Sequence, residues 1–321
     1  LIGQQLGIRV ANDGTLGSIL GIDHVSLQVK NTFPTNPKIM PLGASRTEGN
    51  RPEFESHRYE LWKNMLDNGW TFDYIGNEYD NASYPTYLGQ NFDGDHEGHG
   101  GWTSGDLLVD VNEWMTLAGV PDIVFFSAPG GNDALENLPI ENTLANINDI
   151  IDVIQAKNPN VTIFLEQLAP AHSSIMTPTL TDYINQLVAE IENIAAQQTT
   201  ATSSVVTVDL NSDWLDSYFA DEVHYNEAGA KEAADRYIEV MNMFYSGGGS
   251  LDAPQNVTIE IIGTDVQLTW DAVSGATSYK VYSSEEPDSG FLEDTNGTFE
   301  GESWTAPISE TKKFFYVKAI N

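Results

Sequence analysis

The chain has 321 residues, enough for two domains, and its 47 acidic against 14 basic side chains give a formal net charge of -33. This charge repels nucleic-acid phosphates and anionic lipids, so we expect no nucleic-acid binding, and no apolar run approaches the length needed for membrane insertion. The absence of cysteine excludes disulfides, thiolate metal sites and cysteine nucleophiles.

Residues 1–35 are predicted to form an N-terminal β-strand extension. Residues 7–10 and 21–29 have the pattern of two strands, and the second resembles the closing strand of a carbohydrate-binding jelly roll. We therefore expect a remnant of a larger upstream module, in which His24 is an ordinary strand residue. Leu1 is neither an initiator methionine nor part of a leader peptide, so we expect a mature or trimmed fragment.

Residues 36–245 are predicted to form an α/β domain with a parallel sheet. Short apolar runs alternate with segments in which apolar residues recur every three or four positions, as strands and helices require. Such alternation predicts helices on both faces of the sheet and a site at the carboxyl ends of its strands. The predicted strands cover residues 38–42, 72–75, 123–127, 161–166 and 205–209, and the predicted helices lie around 53–68, 106–118, 141–157, 179–197 and 226–244.

A glycine-rich linker over residues 246–250 separates this domain from residues 251–321. The later segment alternates apolar and polar residues by two, which predicts an antiparallel β-sandwich. Its pattern resembles a fibronectin type III module. We expect Trp270, Tyr279 and Tyr316 to be core residues, and a sugar-stacking role for Trp304 is not favoured.

Four blocks of polar residues follow the predicted strands of the α/β domain. Ser45 lies in a glycine-bounded turn, Gly101 and Asn132 lie in later glycine-rich turns, and Asp221 precedes His224 by three residues. A serine hydroxyl becomes a nucleophile when a neighbouring base takes its proton and a third group orients that base. His224 and Asp221 are the candidate base and orienting group.

Together the four blocks resemble the SGNH (GDSL-type) hydrolase superfamily over residues 37–245, because its four name-giving residue types occur in the right order. The resemblance implies a flavodoxin-like three-layer α/β/α fold. Within the superfamily, Ile-Met-Pro-Leu-Gly before the serine, Thr47-Glu48-Gly49 after it and Glu-Gly-His-Gly-Gly-Trp look like the family-three carbohydrate esterases, which include acetylxylan esterases.

Two residues depart from that family. Ala44 stands where the family usually has Asp, and Tyr225 stands where it often has Pro. Neither is a triad residue. The absence of Asp at position 44 therefore affects the expected turn geometry and pH response more than the expected activity.

The resemblance implies acyl transfer without a cofactor. His224 would take the proton from the Ser45 hydroxyl and return it to the leaving alcohol, while Asp221 fixes the imidazole tautomer. In this superfamily a backbone carbonyl can also orient the histidine. The oxyanion hole would consist of the backbone N–H groups of Ser45 and Gly101 and the side-chain amide of Asn132.

Each of these residues also has a purely structural interpretation. Ser45 could cap the following helix, Asn132 could close a turn, and Asp221 could cap the helix that begins near Asn226. Their joint occurrence at strand ends favours the catalytic interpretation.

Residues 93–99 gather carboxylates and imidazoles and raise the hypothesis of a metal site. They lack the spacing of a calcium loop, so we predict no metal. His96 and His99 are expected at the pocket rim or in solvent, and His57 and His172 are expected to be structural or rim residues.

The sequence thus predicts a bacterial, secreted or cell-surface serine esterase that removes short acyl groups, with acetylated carbohydrate or a small ester as substrate. A lipid, thioester or aryl esterase stays open, because the sequence does not reveal the depth of the acyl cleft. An alternative of another class is a non-catalytic glycan-binding protein with a decayed hydrolase domain, of which Ala44 would be a sign. The oligomeric state is left open.

Overall fold

The computed structural model describes residues 31–246, 254–273, 276, 278–284, 291–308 and 313–320. The predicted strands at 7–10 and 21–29 lie outside these residues, as does the predicted linker except for Ser246.

Strands and helices alternate along residues 31–246, as the sequence predicts. The elements in chain order are β1 (Asn31–Thr32), β2 (Lys38–Gly43), α1 (Ser45–Glu48), α2 (Arg58–Asp67), β3 (Asp73–Tyr74), β4 (Glu78–Tyr79), β5 (Asp95–Gly98), α3 (Ser104–Leu117), β6 (Ile123–Phe126), α4 (Gly131–Leu135), α5 (Ile140–Lys157), β7 (Thr162–Gln167), α6 (Pro178–Gln198), β8 (Ser204–Asp209), α7 (Glu227–Phe244) and β9 (Tyr245–Ser246).

Strands β2 to β8 form one sheet, with strand order β4, β5, β2, β6, β7 and β8, and with β3 pairing with the start of β2. Every pairing in it is parallel except that between β4 and β5. The predicted α/β fold with a parallel sheet is confirmed. The carboxyl ends of β2, β5 and β6 lie side by side, so the loops that follow them meet at one edge.

The two faces of the sheet are covered by different helices. Successive strand residues point to opposite faces, so Met40 and Leu42 pack in a cluster with residues of α3, α5 and α6. Ile39, directly before Met40, packs in the second cluster with residues of α2 and α7. Both clusters are buried, which gives the three-layer arrangement.

Residues 31–33 pack on this α/β core. β1 pairs in parallel with β9, and the ring of Phe33 stacks on Trp70 with centroids 4.2 Å apart. Phe33 is itself buried in the second cluster. The last residues of the predicted N-terminal extension therefore contact the core of the domain that follows them.

The C-terminal part forms two antiparallel sheets. Its strands are β10 (Thr258–Ile262), β11 (Asp265–Thr269), β12 (Ser278–Ser284), β13 (Leu292–Glu293), β14 (Thr298–Phe299), β15 (Ser303–Pro307) and β16 (Phe314–Ile320). One sheet has the order β10, β11, β15, β14 and the other β13, β12, β16.

Among the aromatic residues of this part, the core prediction for Tyr316 is wrong. Trp304 has 0% of its surface exposed and lies in the apolar cluster, so it cannot stack on a sugar. Tyr316 is 44% exposed and stacks on Tyr282 instead of filling the core. Trp270 is buried in the cluster, as expected.

The stability of the fold depends on pH through a buried histidine, His57. His57 is fully buried and its ring lies parallel to that of Tyr237, with centroids 5.1 Å apart. Burial, reinforced by the charge of Arg58, lowers the pKa of His57 to about 3. The unfolded chain takes up this proton near pH 6.5, at about the ordinary pKa of imidazole. The stability that neutral His57 contributes is therefore complete above pH 6.5 and is lost as the pH falls towards 3.

We expect His57→Phe to flatten this acid dependence, because phenylalanine keeps the ring stack and has no proton to bind. Relative to wild type, the free energy of unfolding of the variant should rise by about 1.4 kcal/mol for each pH unit below 6.5. Urea titrations at several pH values between 4 and 8 measure the difference. A difference that does not change with pH would contradict this account.

Candidate active site

The turn that contains Ser45 directly follows β2. α1 begins at Ser45, and Ala44 is its cap residue, whose carbonyl accepts the N–H groups of Thr47 and Glu48. The structural interpretation of Ser45 as a helix cap is therefore wrong. A Cβ at Gly98 would collide with the backbone of Thr47 and Glu48, so glycine there lets α1 rest on β5.

Three side chains from distant parts of the sequence form one hydrogen-bonded chain. Ser45 Oγ lies 2.9 Å from His224 Nε2, and His224 Nδ1 lies 2.7 Å from Asp221 Oδ2. With the proton on Nδ1, the imidazole donates to Asp221 and its Nε2 can accept from the serine hydroxyl. This is the geometry that proton removal from a serine requires.

The other oxygen of Asp221 fixes the loop in which the histidine lies. Asp221 Oδ1 accepts hydrogen bonds from the backbone N–H of Val223 at 2.8 Å and of His224 at 2.7 Å. The cap of α7 is Asn226, whose side chain accepts from Gly229. Asp221 therefore orients His224 and does not cap this helix.

The surroundings of Asp221 favour its ionised form. Burial alone would raise its pKa, but the bonds from the His224 ring and from the two backbone N–H groups outweigh burial and hold the pKa below its ordinary value. A carboxylate at this position stabilises the imidazolium that forms when His224 takes a proton.

The remaining predicted residues, Gly101 and Asn132, line the same groove as Ser45 and His224. Asn132 is in α4, and its Nδ2 donates to the carbonyl of Trp102 at 2.7 Å, which ties α4 to the loop containing Gly101. Gly101 has φ +81°, a conformation that favours glycine, and its missing side chain leaves open space. The neighbouring carboxylate of Asp133 strengthens the tie, since it accepts from both the N–H and the hydroxyl of Ser104.

Two recesses of different character meet at Ser45 and Asn132. A cavity of about 40 Å³ has mainly apolar walls, which include Leu135, Leu168, Leu180 and Ile184. A groove of about 550 Å³ lies on the other side, and its walls include Glu48, Asn50, Phe54, Gly101 and His224. One mainly apolar space and one larger polar space thus adjoin the same hydroxyl.

The sequence analysis missed Phe54, which touches the site. Its ring stacks on the imidazole of His224 with centroids 3.9 Å apart and planes 13° from parallel. Phe54 thereby limits the rotation of the imidazole out of reach of Ser45. A single apolar residue in a polar loop gives no sequence signal for such a role.

Three histidines outside the site have structural surroundings. His96 is 3% exposed and its Nδ1 accepts from the N–H of Gly98, so its predicted place at the rim or in solvent is wrong. His99 is partly buried, because its ring stacks between Trp102 and Trp114 and 12% of its side chain is exposed. His172, more exposed, makes a 2.7 Å hydrogen bond with Ser174.

Within the part of the chain that the structure describes, no group of three or more His, Asp or Glu side chains is placed to hold a metal ion. Asp93, from the segment that raised the metal hypothesis, accepts the backbone N–H of Tyr74 at 2.8 Å. None of the helices in that same part combines the length and apolar character needed to cross a bilayer.

Comparison with known proteins places this arrangement in a family. Residues 42–232 match the GDSL-like Lipase/Acylhydrolase family. A comparison with curated protein sequences finds no match.

Among solved structures, a family 3 carbohydrate esterase from Clostridium thermocellum is 30% identical, with a TM-score of 0.52; the match covers 66% of this chain and 100% of that one. A carbohydrate esterase family 3 protein from Talaromyces cellulolyticus is 27% identical with a TM-score of 0.54, covering 64% of this chain and 98% of that one. An acetyl esterase mutant crystallised with acetate ion is 26% identical with a TM-score of 0.54, and the match covers 64% and 98% of the two chains.

The predicted hydrolase superfamily and its flavodoxin-like α/β/α fold are confirmed. The family match covers more than half of the chain, and its boundaries enclose Ser45, Gly101, Asn132, Asp221 and His224. The chain belongs to the GDSL-like lipase/acylhydrolase family and is a carboxylic ester hydrolase.

Proposed function

We propose that the chain is a serine esterase that hydrolyses short acyl esters, foremost acetyl esters of carbohydrate, through Ser45, His224 and Asp221. The observation that carries the proposal is the continuous contact from Ser45 Oγ to His224 Nε2 at 2.9 Å and from His224 Nδ1 to Asp221 at 2.7 Å. A polysaccharide substrate would place the enzyme outside the cell or on its surface.

The reaction follows from this geometry. Ser45 Oγ attacks the ester carbonyl carbon while its proton passes to His224 Nε2, and the N–H groups of Ser45 and Gly101 with the Asn132 amide receive the developing oxyanion. The bond to the alcohol breaks, and His224 returns the proton to the leaving oxygen. Water then attacks the acyl-enzyme by the same route in reverse, which releases the carboxylic acid and restores Ser45.

The size of the apolar cavity supports a short acyl group. The apolar cavity is much smaller than the groove, so it suits a short acyl group better than a long one. The cavity itself measures about 40 Å³. The larger groove on the His224 side has carboxylate, amide and aromatic walls, which suit the hydroxyl groups and apolar faces of a sugar. The acetyl and carbohydrate esterases among the structural relatives support the same substrate class.

We expect Leu180→Ala to lengthen the preferred acyl chain. Leu180 is a wall of the cavity, and shortening it opens space for additional methylenes, each of which changes transition-state binding by about 1–3 kcal/mol. The ratio of kcat/KM for p-nitrophenyl butyrate to that for the acetate should therefore rise about tenfold or more. Leu144→Ala, which shortens a leucine packed on the same apolar cluster but outside the cavity, is the matched control and should leave the ratio unchanged. Equal ratios in both variants would contradict the placement of the acyl group.

Acetate release from acetylated xylan, compared with simple aryl acetates, tests the carbohydrate substrate. We expect kcat/KM for the polysaccharide to exceed that for a lipid or thioester of matched acyl length, because the groove offers polar contacts to the alcohol side. A preference for long acyl chains or for thioesters would favour the other esterases of the family.

A fluorophosphonate probe tests whether the site is active at all. An activated serine reacts with the probe, whereas a decayed site does not. We expect labelling of the peptide that contains Ser45, and the intact hydrogen-bonded chain at His224 supports this outcome over decay. Failure of the folded protein to react would favour the non-catalytic glycan-binding alternative.

A further inference from the structure

We propose that Arg46 is a positioning residue, whose buried guanidinium holds the His224 loop and the wall of the acyl cavity in register with Ser45. The inference rests on the proposed function, because it concerns the alignment of the same groups. It adds a residue that does not contact the imidazole and that, although it lines the acyl cavity, acts by setting the distance between Ser45 and His224.

The guanidinium of Arg46 donates three hydrogen bonds to backbone carbonyls of two distant segments. Nε donates to Val223 at 2.8 Å, Nη1 to Ala169 at 2.8 Å and Nη2 to Pro170 at 2.9 Å. Only 9% of the arginine is exposed. One planar group thus joins the nucleophile helix to segments that lie 123 to 177 positions further along the chain.

Both segments belong to the site. Val223 is the neighbour of His224, and its N–H donates to Asp221. Ala169 follows β7 and is a wall of the apolar cavity. Because Arg46 directly follows Ser45 in α1, a shift of its guanidinium moves the hydroxyl relative to the base and to the acyl cavity.

The contact set requires arginine. A guanidinium presents five N–H donors in a rigid plane, whereas an ammonium is a compact point charge that cannot reach three carbonyls in this fan-like arrangement. The plane also lies over the ring of Tyr225 at 4.9 Å and near that of Phe219 at 5.9 Å, which fixes its position. Loss of the group would leave three largely buried carbonyl oxygens without this donor.

The two possible roles of Arg46 predict different kinetics. A residue that only stabilises the fold would lower the melting temperature and leave kcat of the folded protein unchanged. A positioning residue lowers kcat and kcat/KM together, because alignment of Ser45 and His224 matters in the transition state and not for binding of the ester. A misplacement of about 1 Å costs about 100-fold in rate.

The test compares Arg46→Met, Arg46→Lys and Arg46→Ala with a matched arginine. Arg236 also clamps backbone carbonyls, those of Asp209 and Ser212, and lies over the ring of Trp214 at 5.5 Å, but it contacts neither Ser45 nor His224. The full chain is assayed with p-nitrophenyl acetate well below the melting temperature of every variant. Its serine reactivity is measured separately with a fluorophosphonate probe.

We expect all three Arg46 variants to lose about 100-fold in kcat and in the rate of probe labelling, with KM changed less than about threefold. Added guanidinium at millimolar concentration should partly restore kcat of Arg46→Ala in a saturable way. Arg236→Met should melt earlier than wild type and keep kcat within threefold, and guanidinium should not raise its activity.

Three results would overturn the inference: a folded Arg46→Met with kcat within threefold of wild type, full rescue by lysine, or an equal loss of kcat in Arg236→Met. If no Arg46 variant folds by itself, Arg46→Ala is refolded in the presence of guanidinium. Refolding without recovered turnover is then also a contrary result. The proposed function fails separately, through activity that persists in Ser45→Ala.

Discussion

Replacing Ser45 by alanine is expected to lower kcat for p-nitrophenyl acetate by a factor on the order of 10⁶, to the level of residual catalysis by binding and the oxyanion donors. The reason is the loss of the nucleophile that His224 contacts at 2.9 Å. KM should change little, because the hydroxyl contributes to bond formation and not to ester binding. Initial rates over a range of substrate concentrations measure both constants.

Ser173→Ala is the control for this experiment. The Ser173 hydroxyl also contacts a carboxylate, that of Asp216, at 2.5 Å, but on an exposed loop outside the proposed triad. We expect wild-type kcat in this variant and equal melting temperatures in all three proteins. Turnover retained by a folded Ser45→Ala would refute the assignment of the nucleophile.

Asn132→Leu is expected to lower kcat by a factor of about 100 to 1,000, because one of the three proposed oxyanion donors disappears while the side-chain volume is kept. The donor matters most in the transition state, so KM should stay nearly constant. A smaller part of the loss comes from the hydrogen bond to Trp102, which holds the loop with Gly101 in place. Steady-state kinetics with p-nitrophenyl acetate measure the effect.

Asn158→Leu separates these contributions. The amide of Asn158 likewise donates to a backbone carbonyl, that of Pro121 at 2.8 Å, at the end of α5 and away from the site. We expect reduced stability and unchanged kcat. A loss below about threefold in Asn132→Leu would show that this amide does not receive the oxyanion.

The α/β architecture was predicted from buried strands, because such strands appear in the sequence as short runs of apolar residues. Ile123 to Phe126 is fully buried and was recognised from composition alone. β4 and β5 were missed because Glu78–Tyr79 and Asp95–Gly98 carry polar residues, which the structure pairs at the sheet edge or buries with specific partners. Glu97, for example, is buried, and its carboxylate accepts hydrogen bonds from the His99 imidazole and the side-chain amide of Asn77.

The candidate site residues were predictable for a related reason. Parallel strands end at one edge of the sheet, so polar residues just after β2 and β6 lie near one another whatever the rest of the chain does. Asp221 and His224 were found from their spacing. The contact of His224 with Ser45 spans 179 positions and became visible only in the folded chain.

Phe54 and Arg46 were not predictable as parts of the site. From the sequence, a charged residue such as Arg46 on a short helix is expected to face solvent. In the structure its side chain is directed inwards, to the carbonyls of Val223, Ala169 and Pro170. Trp304 is a similar case, since this aromatic residue in a polar strand is fully buried. Neither orientation follows from local sequence, because each depends on contacts formed across the fold.

The most direct measurement for the whole account is the chemical identity of the acylated residue during turnover. Wild-type protein is mixed rapidly with p-nitrophenyl acetate, quenched with acid within the first turnover, digested and analysed by mass spectrometry. We expect one acetyl group on the wild-type peptide that contains Ser45 and none in Ser45→Ala. Any acetyl group that forms in His224→Ala should be retained longer than in wild type. Full turnover with no acetyl group on Ser45, or with the acetyl group on another residue, would contradict the account.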